Sequence, residues 1–321
     1  MKEIKITDIE GFQIGNAQNE KAGTGCTVVL CKEGMAAGLD VRGGGPASRE
    51  SELLKPAATA QEIHGLLLSG GSAFGLDAAG GVMKYLEEHG IGFDVGVTRV
   101  PLVCQSCLFD LTVGNPLIRP DSVMAYKACE EAQKNHFKNG NFGAGTGATV
   151  GKLNGMDNCM KSGIGSYAVQ VGEFQMGAIV AVNALGDILD YKSGEILAGL
   201  YDEESQNFLD SESKMLGTDQ VFENRFVGNT TIGAILTNGD FDKARLGKIA
   251  AMAHNGYARS IRPVHTSADG DSIYALSTRK VVADEDMAGT LGAKVMSEAI
   301  MVAVKSAESA YGYRGYKEKE K

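Results

Sequence analysis

The chain changes character at Gly228-Asn229-Thr230-Thr231-Ile232-Gly233-Ala234-Ile235-Leu236-Thr237. From Asp202 to Asn229 it carries Asp202, Glu203, Glu204, Asp210, Glu212, Asp219 and Glu223 against Lys214 and Arg225, with no sustained apolar period. Such a run offers no face to bury and reads as a solvated surface loop or linker. From Thr231 to Thr237 the chain is rich in β-branched residues, and the segment reads as a strand. Asn229-Thr230 therefore sits where solvated chain passes directly into strand. Taken alone, the pair is a loop-to-strand joint.

Outward from this junction the elements follow in both directions. Asp240 is expected to cap a helix that runs to about His254, with Gly256 as its stop. A strand pattern at Ser272–Ser277 precedes a long Ala/Met/Val helix from about Asp286 to Tyr311, and the charged tail Tyr316–Lys321 reads as frayed. Upstream, Gln175–Leu185 reads as a buried strand, and the stretch between Phe142 and Gly165 is dense in glycine. Asp121 caps a helix to about Lys138. Ala73–His89 places Leu76, Ala79, Val82, Met83 and Leu86 on one helical stripe before Gly90. Ile4–Ile9 and Cys26–Cys31 read as strands, and Arg42–Gly45, closed by Pro46, as a Gly-rich turn.

Composition narrows the function classes. The 321 residues allow one large domain or two, and 43% hydrophobic with 22% charged residues is ordinary for a globular chain. The 43 glycines lack a Gly-x-y period, which excludes collagen and calls for tight turns and close backbone approaches. A net charge of −9, no Trp and only 7% aromatics argue against a nucleic-acid partner. Neither a signal-peptide core near the N-terminus nor a membrane-length apolar run is seen, so a cytoplasmic protein without a membrane partner is expected. Cys26, Cys31, Cys104, Cys107, Cys129 and Cys159 are then expected as reduced thiols. Cys104-x-x-Cys107 lacks the second pair that zinc requires, and no metal or cofactor is expected.

Several stretches look like chemistry. Gly143–Lys152 fails the phosphate-loop pattern at Thr146 and Leu153, and fails the dinucleotide pattern at Ala168. What is left is a glycine loop with Lys152 at its end, a lysine that taken alone would be solvated. Leu68–Gly75 is no nucleophile elbow, because Phe74 stands where a glycine is needed. It reads as a turn feeding a helix, with free N–H groups able to face an anion. His64, His89, His136, His254 and His265 lack i, i+4 pairing, so surface or packing roles are read for each. Asp269-Gly270-Asp271 can aim two carboxylates into one space, or simply form an Asx-type turn.

In order, the Gly-rich Arg42–Glu50 segment, Leu67–Gly75, the Gly143–Lys152 loop, Asn183 in a strand, Gly228-Asn-Thr-Thr231 and Asp269-Gly-Asp271 resemble the L-aminopeptidase/D-amino-acid esterase-amidase family of N-terminal-nucleophile hydrolases. The similarity runs from about Ile4 to Tyr311. Thr230 and the Asp-Gly-Asp turn are closest to the branch that hydrolyses nylon (6-aminohexanoate) oligomers, where the aminopeptidase branch carries Ser and a Ser-Gly-Glu turn. The resemblance implies a single α/β hydrolase domain, residues 1–321, built as a four-layer α-β-β-α sandwich. It implies self-cleavage at Asn229–Thr230 into an α chain, 1–229, and a β chain, 230–321. Thr230 would be the nucleophile, Asn183 the oxyanion donor, Asp269 and Asp271 the groups that orient the nucleophile, and Lys152 an aid to proton transfer or charge binding. The implied substrate is a linear amide or short peptide, and the implied assembly a homo-oligomer, a tetramer. An aminopeptidase or β-peptidyl aminopeptidase of the same family, or an acyltransferase like the self-cutting ornithine acetyltransferases, is the alternative.

Overall fold

The computed structural model describes residues 1–217 and 228–318. Ten strands are joined by hydrogen bonds, nine of them along one path: β1 (Lys2–Ile4), β2 (Gln13–Asn19), β3 (Thr24–Val41), β4 (Ala47–Arg49), β5 (Ile63–Ser69), β6 (Val103–Cys107), β7 (Ile164–Val171), β8 (Phe174–Asn183), β9 (Thr230–Gly239) and β10 (Ser272–Val281). The order is β1-β7-β8-β9-β10-β3-β5-β6-β4, with β2 alongside β3. The helices are α1 (Ala79–Glu88), α2 (Ser122–Gln133), α3 (Ser211–Leu216), α4 (Lys243–Ser260) and α5 (Glu285–Lys305).

β3 belongs to two sheets. Its first part pairs with β2 and β5, and after a register shift between Leu30 and Met35 its last part, Ala36–Val41, pairs with β10. A shift of this kind bends a strand, and here it turns one path into two stacked sheets. Alternation of side chains along the strands then makes three cores. Ile179, Ala181, Ile232, Ala234, Leu66 and Leu68 fill the space between the sheets. On one outer face, Val180, Val182, Ile235 and Ile273 pack against Ile249 of α4 and Val295 of α5. On the other, Val28, Leu67 and Val103 pack against Val82 of α1 and Ala128 of α2. Helix, sheet, sheet, helix is the four-layer sandwich implied by the sequence.

Several boundaries differ from the sequence expectation. Ile4–Ile9 is not one strand: β1 stops at Ile4, and a 3₁₀ turn at Ile6–Asp8 drops Ile6 and Ile9 between the sheets. The helix before Gly90 starts as a 3₁₀ segment, Ser72–Ala78. α2 stops at Gln133, and Asn135 just beyond takes a left-handed φ of 51°. α4 is capped by Asp242, whose Oδ1 accepts from Arg245 N at 2.9 Å, in place of Asp240. It runs through Gly256 because α5 lies so close that a Cβ there would stand 2.6 Å from Ala293 O. α5 ends at Lys305, short of Tyr311; it is long and apolar enough to cross a membrane, and its apolar residues are spent on the outer core. The acidic run is not all loop: it holds a small hairpin, Tyr201–Asp202 with Asn207–Phe208, and α3. Its residues 218–227 lie outside those described, as do residues 319–321 of the tail.

Gly165 of β7 faces α5 so closely that a Cβ would meet Ala299 O at 2.1 Å and Ala303 N at 2.3 Å. Gly165→Ala is expected to destabilise the fold by ~1–3 kcal/mol through overpacking against helix backbone. A denaturant midpoint unchanged from the parent would show that α5 can yield there.

Candidate active site

Thr230 is the first residue of β9, and Asn183, the last of β8, stands directly across from it in the antiparallel register. That pairing alone brings the two side chains within reach of each other. Both are buried, Thr230 at 4% exposure. Thr231 points to the opposite face, and its N–H donates to Asp271 Oδ1 at 2.8 Å. The neighbour that touches the Thr230 hydroxyl is Gly270, whose N–H donates to Oγ1 at 3.1 Å. A Cβ on Gly270 would sit 2.8 Å from that oxygen and 2.7 Å from Gly45 O, so only glycine leaves room. Gly43 and Gly44 have the same cause, since a Cβ would stand 2.3 Å from Asp269 O at the first and 2.6 Å from Ser267 O at the second. They let the turn after β3 lie on the Asp269–Asp271 turn, with Gly45 N bonded to Asp269 O at 2.8 Å and Arg42 N to Asp271 O at 3.0 Å.

The two acids do different things. Asp269 Oδ2 accepts from Thr266 N at 2.9 Å and Thr266 Oγ1 at 2.6 Å, a local side-chain turn. Asp271 spans Thr231 N and, at 2.8 Å, His265 Nδ1.

Lys152 is not solvated. It is 5% exposed, and its Nζ donates to Asn183 O and Asn183 Oδ1, both at 3.0 Å, and to Gly228 O. Thr149 N also donates to Asn183 Oδ1, at 3.0 Å. With two donors fixing Oδ1, the amide can only turn Nδ2 the other way. Nδ2 donates to Gly228 O and Phe109 O, each at 2.9 Å. The Gly228 carbonyl oxygen, two residues before Thr230, is thus gripped by Lys152 and Asn183 together.

The glycine loop before Lys152 serves packing. A Cβ would stand 2.1 Å from Ile164 N at Gly145, and 2.1 Å from Gly23 O at Gly147. Beneath it lies Lys161, which the sequence reading missed: fully buried, it donates to Gly145 O at 3.1 Å, Ala148 O at 3.0 Å and Ser162 O. The anion expected at the Leu68–Gly75 turn is the chain's own Asp110, which accepts from Gly71 N at 2.7 Å and Thr24 Oγ1 at 2.6 Å. Among the described residues no group of three or more His, Cys, Asp or Glu is placed to hold a metal ion.

Burial dominates the electrostatics. It pushes Lys152 down to about 7, against the pull of Cys159, Asp269 and Asp271. It raises Asp269 above the usual carboxylate range, with the Asp271 charge adding to the effect. Lys161 falls to about 7 and Asp110 rises to about 6 for the same reason. Perturbed acids and amines packed around a hydroxyl, with two N–H donors on one carbonyl oxygen, form an arrangement suited to acyl transfer.

Residues 5–318 match the model of Peptidase family S58, and the chain belongs to that family. It is 36% identical to an uncharacterized aminopeptidase of Mycobacterium leprae, covering 97% of this chain and 92% of the relative. It is 29% identical to a 6-aminohexanoate-oligomer endohydrolase of Agromyces sp., covering 87% and 76%. In fold it is similar to the L-aminopeptidase D-Ala-esterase/amidase of Ochrobactrum anthropi, described as a variant of the Ntn hydrolase fold, with a TM-score of 0.70, 17% identity, and 94% and 86% of the two chains covered. It is likewise similar to a Burkholderia sp. β-aminopeptidase, with a TM-score of 0.67, 18% identity, and 97% and 90% covered. The chain is an amide-bond hydrolase, as its sequence motifs implied.

The depressed Lys152 has a consequence for stability. Unfolded, its amine titrates near ~10.4, and folded near 7, so between those values the unfolded chain binds the extra proton and stability rises with pH. Removing the amine removes that slope, up to ~1.4 kcal/mol per pH unit. The stability difference between the parent and Lys152→Met should therefore grow in the parent's favour from pH 7 to 9.5 in denaturant titrations. A difference flat across that range would mean Lys152 stays protonated in the folded chain.

Proposed function

We propose that the chain cuts itself between Asn229 and Thr230 and then works as an N-terminal-threonine hydrolase of short linear amides. The observation that carries this reading is the double grip of Lys152 and Asn183 on a carbonyl oxygen beside Thr230, whose hydroxyl is held by Gly270 N–H. In the first step Thr230 Oγ1 attacks the carbonyl carbon of Asn229. Collapse of the tetrahedral adduct breaks the peptide C–N bond, the nitrogen takes a proton, and the acyl group rests on Oγ1 as an ester. Water opens the ester and releases the Asn229 carboxylate. Thr230 then carries a free α-amine with an ordinary pKa of ~7.7–8.0, a better base at neutral pH than a surface lysine.

In turnover the α-amine accepts the Thr230 hydroxyl proton as Oγ1 attacks the substrate carbonyl. The oxyanion is met by Asn183 Nδ2 and Lys152 Nζ, the donors that hold Gly228 O in the uncut chain. The proton passes to the leaving amine, and water hydrolyses the acyl-enzyme. Asp271, bonded to Thr231 N, holds the strand start while this happens. Asp269 adds negative charge that favours the protonated amine between the steps.

The substrate class is a flexible, unhindered linear amide, which takes in peptides of small residues and linear 6-aminohexanoate oligomers. Relatives named for both activities, with the Asp269-Gly-Asp271 turn, support this range.

Mass measurement of the purified protein under denaturing conditions should show chains 1–229 and 230–321. Thr230→Ala should stay whole and inactive, and Thr230→Ser should cut more slowly, since the chemistry needs only a hydroxyl. Scission of Thr230→Ala at this bond would end the assignment of the nucleophile. Asn183→Ala should lose ~10²-fold or more in kcat; unchanged turnover would remove Asn183 from the oxyanion site. Among an amino-acid p-nitroanilide, a β-dipeptide and a linear aminohexanoate trimer, trimer cleavage is expected and should vanish in Thr230→Ala. Rapid p-nitroanilide release with an untouched trimer would restrict the enzyme to aminopeptidase work.

A further inference from the structure

The loop bearing the acid turn holds one histidine in a backbone conformation that few side chains adopt. His265 has a φ of 57°, in the left-handed region. Such positions persist where the surroundings over-determine them, often beside reacting groups. Its Nδ1 lies 2.8 Å from Asp271 Oδ2, and its backbone N–H reaches the same oxygen at 3.2 Å. Asp271 Oδ1 takes the Thr231 N–H. An ionised carboxylate only accepts, so the Nδ1 proton points at Asp271. Nε2 is then left buried and, among the described residues, without a partner.

The ring is boxed in from behind. His254 of α4 meets it edge-on at 4.7 Å between centroids, and Tyr257 lies tilted at 5.9 Å. His254 is itself buried, anchored by Nε2 to Asp40 O of β3 at 3.1 Å, and pushed down to about 4 by burial, so it adds no charge at neutral pH. β3 and α4 thus brace a ring whose single polar contact among the described residues is the carboxylate.

We propose that His265 is a positioning residue for amide hydrolysis: its Nδ1–H fixes the plane of the Asp271 carboxylate, which holds the Thr230–Thr231 peptide and so aims the Thr230 hydroxyl. The inference rests on the assignment of Thr230 as nucleophile made above. The path is short. Nδ1–H meets Oδ2, Oδ1 meets Thr231 N–H, and that peptide begins at the nucleophilic residue. A carboxylate free to rotate would let the strand start drift, and a misplacement of ~1 Å costs on the order of 10²-fold in rate.

The test separates the N–H donor from the backbone conformation. His265→Asn keeps a donor at the Nδ1 position and tolerates the left-handed backbone. His265→Gly tolerates that backbone still better and offers no side-chain donor. In full-length protein made by cell-free translation, the rate of conversion to chains 1–229 and 230–321 is followed on denaturing gels, with circular dichroism to confirm folding. His265→Asn should cut within ~3-fold of the parent, and His265→Gly ~10–10²-fold more slowly. His265→Gly keeping pace with the parent, or His265→Asn as slow as His265→Gly, overturns the inference. If His265→Gly does not fold, His265→Asp, which keeps the backbone tolerance without an N–H, replaces it under the same expectation. A parent chain that never cuts removes the nucleophile assignment and this inference with it. A parent that cuts normally while the variants fail to separate removes this inference alone.

Discussion

A buried ammonium must find acceptors for all its protons, and that requirement at Lys152 organises the site. Left without partners in the interior, such a group would cost several kcal/mol or lose its proton. Lys152 finds Asn183 O, Asn183 Oδ1 and Gly228 O. Two of these come from the end of β8, and the third from the residue that leads into β9. The strands must therefore end and begin where they do, and Thr230 is delivered to the lysine as a by-product of satisfying it. Thr149 N then completes the lock on Asn183 Oδ1, which leaves Nδ2 one direction to face. On the proposed reading, the cut frees the Gly228 carbonyl to leave. Two N–H donors then stay behind, already aimed at the place where the next carbonyl oxygen arrives.

Close backbone approach is the second constraint. The turn after β3 can lie on the Asp269–Asp271 turn only because Gly43 would otherwise thrust a Cβ to 2.3 Å from Asp269 O. Gly270 has no room for one beside Thr230 Oγ1. The glycine excess is thus spent where layers and turns meet, and the site inherits its tightness from this packing.

These facts explain what the sequence could and could not show. β9, α5 and the cap at Asp121 were legible because periodicity and capping chemistry are local. Lys152, Asn183, Thr230 and the acid turn, which the ordered motifs single out, lie together because each sits at an element end that the fold draws to one place. His265 was passed over as a surface or packing residue, because its partner lies around a turn and no i, i+4 spacing betrays it. Lys161 and Asp110 were invisible for a related reason. Lys161 bonds to backbone carbonyls, and Asp110 to a turn N–H and to the hydroxyl of Thr24, 86 residues away, so neither leaves a local side-chain pattern to read. The end of α4 was misjudged because Gly256, which looks like a stop, is there to admit α5.

Lys152 and Lys161 show why burial alone does not mark a functional residue. Both are buried, both find three carbonyl-type acceptors, and burial brings both down to about 7. The acceptors of Lys161 are Gly145 O and Ala148 O of the loop it supports and Ser162 O of its own neighbour, with Asp110 as a further source of negative charge. Nothing in the proposed chemistry displaces them, so Lys161 keeps a structural role. One acceptor of Lys152, Gly228 O, belongs to the segment that the proposed cut releases. Its loss leaves an ammonium with one partner fewer beside a new α-amine. Both changes favour the neutral amine or a waiting oxyanion over the resting ammonium. The same residue in nearly the same environment becomes part of the chemistry because one of its three partners can leave.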